Sequence, residues 1–112
     1  MRKLPRGLRL VVEHGKLADY LLSDTHPVGR HKAHFFRGLG FSIEQADLLR
    51  EQLPWHGRNQ GYTLVEETVF GTKYVVEGRL RPRGDARIRT VWFRENGSSD
   101  LRLVTAYPVE KR

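Results

Sequence analysis

Five groups able to move protons or grip phosphate fall within nine consecutive positions: His26, Arg30, His31, Lys32 and His34. Pro27 lacks an N–H and pushes the residue before it out of the helical region, so His26 sits on a turn with a restricted backbone. Lys32 follows on the first turn of an expected helix, where the free backbone amides add to its charge. A proton acceptor beside a cation and a helix N-terminus makes a usable phosphate site, with His26 and Lys32 as its catalytic candidates and Arg30 and His31 as its grip. The plainer alternative has His26 packing the turn while Arg30, His31 and Lys32 remain solvated.

A second group surrounds Pro82, where Arg79, Arg81, Arg83, Arg87 and Arg89 are offset only by Asp85. Strand alternation places Arg79 and Arg81 on one face, and Arg87 and Arg89 likewise share a face. Such a ribbon can lie along a nucleic-acid backbone, or it can use its charge merely to discourage edge pairing. A third group, Thr105 and Tyr107, lies in the last expected strand on the same face as Leu101 and Leu103. Their hydroxyls are then either satisfied in the core or aimed into a cleft at the end of the sheet.

Other chemistries lose support. The histidine spacing over His26, His31 and His34 has no nearby cysteine and no pair at i, i+4, so no metal site is expected. There is no G-x-S-x-G and no Walker-type or dinucleotide-type glycine loop. With no cysteine, a thiol nucleophile and a disulfide framework are both excluded. No cofactor is expected.

The elements that would position these groups can be read in order. Residues 8–12 form a short β-branched and leucine run that predicts a first strand, ended by Gly15. Leu17, Tyr20 and Leu21 recur at helical spacing, and a second helix over 30–39 buries Ala33 and Phe36 before Gly38 and Gly40 close it. Ser42 and Gln45 have the spacing of a capping box, followed by an apolar stripe of Ile43, Ala46, Leu49 and Leu53. Pro54 is expected to end this third helix, leaving 55–61, with His56, Gly57 and Arg58, as a mobile surface loop.

The period then changes from helical to alternating. Runs at 62–70, 73–81, 87–94 and 101–109 are separated by Gly71-Thr72, by Pro82 to Asp85 and by Asn96 to Ser99, which are hairpin signals. Tyr74, Val76, Gly78 and Leu80 share one face of their strand, as do Ile88, Thr90 and Trp92 of the next. The fold class expected is therefore α+β: a short N-terminal strand and two to three helices packed on one face of a four-stranded antiparallel sheet. The 112 residues suffice for one domain, with 1–7 and 110–112 expected to be flexible.

A formal charge of +7, most of it carried by arginine, favours an anionic partner: RNA, another polyanion, or an acidic protein of the antitoxin or immunity type. The apolar run near the N-terminus is broken at Glu13, too short for a signal peptide or a membrane span, so no membrane partner and a cytoplasmic location are expected.

Lys16, Leu17 and 20–22, then 26–29, Lys32, Ala33 and Phe36, then 39–41, Val91-Trp92 and 103–108 carry a K-L-x-x-Y-L-L, H-P-V-G-x-x-K-A-x-x-F, L-G-F, V-W and L-V-T-A-Y-P pattern. In these residues the sequence resembles an uncharacterised bacterial family of unknown function. Its expected order of strand, helices and antiparallel sheet is also similar to the barnase, EndoU, colicin and RelE superfold of small RNases, many of them toxins. That second resemblance implies RNA cleavage without metal by His, Lys or Arg and hydroxyl groups on a sheet, an inventory that His26, Lys32, Thr105 and Tyr107 match by residue type. The leading expectation is a toxin-like, metal-independent endoribonuclease acting through 2′-hydroxyl attack. Its rival is a non-enzymatic basic module that binds nucleic acid or an acidic protein.

Overall fold

The computed structural model describes residues 2–13, 46–79 and 87–109. Within them are β1 (Arg9–Val11), α1 (Ala46–Asn59), β2 (Tyr62–Glu67), β3 (Gly71–Arg79), β4 (Arg87–Glu95) and β5 (Asp100–Pro108). The five strands form one sheet in the order β1-β5-β4-β3-β2. β2 to β5 follow one another as antiparallel neighbours, as alternation and turn residues foretell. The Asn96–Gly97 turn is closed by Ser98 N–H donating to the Glu95 carbonyl at 3.0 Å, and Gly97 adopts φ 81°, which its missing side chain permits.

The expected fold class is corrected in two respects. The sheet has five strands rather than four and is mixed, because β1 pairs in parallel with β5 through Arg9↔Asp100, Leu10↔Leu101 and Val11↔Arg102. Within this register Arg9 Nε and Nη2 each donate to the Asp100 carboxylate at 3.2 Å. The described residues also contain one helix, so the protein is mostly β there. The two helices expected before it lie outside the described residues. A parallel pairing across some ninety positions leaves no local turn signal, which is why β1 reads as an isolated strand.

α1 also differs from its expectation. It continues through Pro54 to Asn59, so the anticipated loop is helical for most of its length. The proline forfeits one helical hydrogen bond, but Leu53, His56 and Gly57, at i, i+3 and i+4, are all buried by this continuation. Packing against the sheet outweighs the local break. Gly57 is where helix and sheet come closest: a Cβ there would stand 2.8 Å from Leu10 Cδ2 and 3.0 Å from the Trp92 ring. In the last turn of the helix, Arg58 donates to the carbonyls of Pro5 and Leu8, holding the N-terminal segment across the same side of the sheet.

The core lies between α1 and this side, built from Leu53, Val76, Ile88, Trp92, Leu101, Leu103 and Ala106, with Leu4 and Val12 closing it. Within it His56 and Thr90 are fully buried. Trp92 Nε1–H donates to Thr90 Oγ1 at 2.8 Å, His56 Nδ1 lies 3.0 Å from the same oxygen, and His56 Nε2 lies 3.1 Å from the Gly78 carbonyl. A carbonyl can only accept, so Nε2 carries the proton; Nδ1 then accepts from the threonine hydroxyl, which in turn accepts from the tryptophan. Every polar side-chain atom of this relay has a partner only while His56 is neutral. Burial pushes the His56 pKa down to about 4; hydrogen bonds to the Gly78 and Ile88 backbone oppose that shift and the nearby Arg87 charge adds to it.

Candidate nucleic-acid interface

The residues on the far side of the sheet from α1 are those that alternate with the core positions of β3, β4 and β5. On β3 these include Glu77 and Arg79, and on β4 Arg87, Arg89 and Val91, since Val76, Gly78, Ile88, Thr90 and Trp92 face the helix. Register then sets Arg79 opposite Arg87 and Glu77 opposite Arg89. Across the next ladder Arg89 meets Tyr107 and Val91 meets Thr105. Neighbouring strands run about 4.8 Å apart, so Glu77, Arg89 and Tyr107 form one row across three strands.

Thr105 and Tyr107 reach this row through an irregularity. The β4–β5 register shifts between Val91↔Thr105 and Trp92↔Leu103, which leaves Val104 as an extra residue. Leu101, Leu103 and Ala106 are therefore the buried positions of β5, and unbroken alternation would have hidden Thr105 and Tyr107 with them. That expectation is corrected: both residues lie on the far face, half-buried, beside the arginines and next to Val91, which is itself buried. Val104 itself stays exposed.

Charge is distributed unevenly along the face. Arg89 Nε donates to Glu77 Oε2 at 3.0 Å, while Arg87 Nη2 lies 3.9 Å from Oε1. Hydrogen bonding to Glu77, then to Tyr107, together with the Glu77 charge, raises the Arg89 pKa above its ordinary value, so this guanidinium stays cationic. Arg79, Arg87 and Arg89 thus cluster with Glu77 where β3 ends and β4 begins. Toward the opposite end of the strands the ion pairs are more evenly matched, with Lys73 3.8 Å from Glu66 and Arg102 bridging Glu13 and Glu95. Among the described residues, positive charge is accordingly densest at one end of the face. Arg87 and Arg89 keep roughly half of their side-chain surface, at 50% and 41%, so their remaining N–H groups can reach a solvent-borne phosphate.

Of the ten residues singled out from sequence, this face gathers Arg79, Arg87, Arg89, Thr105 and Tyr107. His26, Arg30, His31, Lys32 and Arg81 lie outside the described residues. Glu77 belongs to the row although its residue type alone does not single it out; its position two before Arg79 on an alternating strand is the available signal. His56, expected on a surface loop, is instead sealed on the other side of the sheet.

Among the described residues, a mostly β fold with a mixed sheet, backed on one side by a helix and basic at one end of the other side, is the class these features define. The chain belongs to the DUF6883 family, a domain of unknown function, whose model matches residues 3–110. No curated protein and no solved structure matches it. Among the described residues no helix is long and apolar enough to cross a membrane.

Proposed function

We propose that the protein is a metal-independent endoribonuclease whose RNA strand lies at the basic end of the sheet face turned away from α1. The supporting observation is the convergence of Arg79, Arg87, Arg89 and Tyr107 there, brought about by strand register and by the β5 irregularity together. In this reading the guanidinium groups hold the backbone, and Tyr107 or Thr105 positions the phosphate to be cut. His26 takes the proton from a 2′-hydroxyl, whose oxygen attacks the adjacent phosphorus. Arg30 and Lys32 stabilise the resulting phosphorane. The bond to the 5′-oxygen then breaks, that oxygen takes a proton from water, and a 2′,3′-cyclic phosphate remains. Water need not be activated on a metal for that attack. The likeness to the superfold of small RNases, many of them toxins, belongs to this reading, and so does an acidic antitoxin or immunity protein that would cover the basic end.

The test is incubation with a mixed RNA pool in EDTA, comparing the parent with His26→Ala and with the double variant Arg87→Ala, Arg89→Ala. Cyclic-phosphate ends are expected from the parent, none from the first variant and a sharply reduced yield from the second. A His26→Ala protein that cuts as well as the parent removes His26 from the mechanism. One observation favours the non-enzymatic alternative: His56, the one histidine among the described residues, is buried on the opposite side. Under that alternative RNA shifts in a low-salt gel and emerges intact.

A further inference from the structure

We propose that the outer edge of β2 binds an extended peptide strand in which two basic residues precede two β-branched ones. β2 ends the sheet, and its residues from Thr63 to Glu67 are exposed. Four of the five exposed large apolar side chains among the described residues sit on this strand and its turn: Leu64, Val65, Val69 and Phe70. The turn is held firmly. Thr68 N–H donates to the Gly71 carbonyl at 2.8 Å, and Asn96 donates through Nδ2 to the Val69 carbonyl at 2.8 Å and through its backbone N–H to the Phe70 carbonyl at 3.1 Å. Because Thr68 points inward to Gly71, alternation turns the backbone groups of Val65 and Glu67 outward, away from β3. β2 also lacks the lysines and prolines that close many strand edges.

The edge already takes extended chain at one end. Tyr62 N–H donates outward to the Arg2 carbonyl at 2.7 Å, and a docked strand would continue that ladder along Val65 and Glu67. Side chains set what such a strand must carry. Leu64 and Glu66 point to one face and Val65 and Glu67 to the other, so each face offers an apolar residue and then a carboxylate. An antiparallel partner therefore meets them with two cations followed by two apolar residues, and β-branched ones suit an extended backbone. The charge is complementary, since β2 holds two glutamates and no cation of its own. A second copy of β2 fits poorly. With Val65 opposite the partner's Val65, the partner's Thr68 would fall where the Arg2 carbonyl sits, and the other registers that match outward groups set glutamate against glutamate. Arg87 and Arg89 lie on β4, beyond β3, so this site does not depend on the RNA-cleavage reading.

The probe is a capped hexapeptide, Thr-Lys-Lys-Val-Val-Thr, titrated into the full chain at physiological ionic strength while the amide signals of Val65 and Glu67 are followed by NMR; Thr-Glu-Glu-Val-Val-Thr is the control. Both signals are expected to shift and saturate with the lysine peptide, which should bind more tightly than the control. Val65→Pro removes an outward N–H without touching the ladder to β3 and should abolish the shift at Glu67. Glu67→Lys leaves the backbone edge intact and should weaken the lysine peptide about two- to fivefold, the scale of one cross-strand charge pair, while strengthening the control. Arg87→Ala should change neither. Signals that the lysine peptide leaves in place in the parent protein overturn the proposal, whatever the variants do. Equal binding of the two peptides, or a lysine peptide that Glu67→Lys binds as well as the parent does, also overturns it. So do Val65 and Glu67 amides that resist hydrogen exchange in the peptide-free protein: protection that grows with protein concentration assigns the edge to a second copy, and protection independent of concentration assigns it to another segment of this chain.

Discussion

Acidification should destabilise this protein through one buried histidine, and the size of the effect follows from the core geometry. His56 in the unfolded chain takes a proton near its ordinary pKa of 6.5, whereas in the folded state burial holds it neutral down to about 4. Between those values the unfolded state binds more protons than the folded one, so falling pH favours unfolding. The contribution is fully present above about pH 6.5 and is lost progressively toward pH 4. At about 1.4 kcal/mol per pH unit, the loss amounts to about 3 kcal/mol, a large share of a small protein's stability. Urea unfolding at a series of pH values measures it directly. His56→Gln cannot titrate; it should be less stable at pH 7 by about 1–3 kcal/mol, because its amide fits the Gly78 and Thr90 partners imperfectly. Its stability should also fall less steeply with acid than that of the parent. NMR of the parent at neutral pH should show the neutral ring protonated on Nε2. A His56 that titrates near 6.5 in the folded protein, or equal slopes for parent and variant, would refute the reasoning.

Three further outcomes are expected. Thr90→Val strands His56 Nδ1 without a donor and Trp92 Nε1–H without an acceptor, so urea unfolding should show a loss of about 2 kcal/mol or more, most of it restored in Thr90→Ser. Gly57→Ala gains about 1 kcal/mol of helix propensity but drives its methyl into Leu10 and the Trp92 ring, so the net result should be destabilisation by about 1–2 kcal/mol in the same assay. Replacing Arg87 and Arg89 by Ala together should reduce the salt dependence of RNA affinity by about one unit of slope for each phosphate no longer neutralised, read from binding isotherms at several salt concentrations; an unchanged slope would place the RNA elsewhere.

The legible parts of the fold are those with local causes. The four antiparallel strands begin and end within a few residues of the runs marked by alternation and by their Gly, Asn and Ser turns. What escapes has non-local causes. Pro54 reads as a stop because the gain from burying Leu53, His56 and Gly57 beneath the sheet is invisible in a window around the proline. Thr105 and Tyr107 read as core-side residues because a single extra residue, Val104, changes which face follows it, and nothing in L-V-T-A-Y announces it. The arginine cluster is visible in the sequence as a concentration of charge. Its gathering onto one face with Glu77 requires the register of three strands.

The parallel pairing of β1 with β5 has a consequence in time. β1 leaves the ribosome well before its partner, so Leu10 waits through the synthesis of some ninety further residues before Leu101 arrives beside it. Closing so distant a contact is entropically slow, and until then β1 lacks its sheet partner and the core lacks Leu101, Leu103 and Ala106. The nascent chain is therefore most prone to association while β5 is still missing. Tyr107 and Thr105 come from that same late strand, and the arginine-bearing face acquires these two groups only once β5 has emerged.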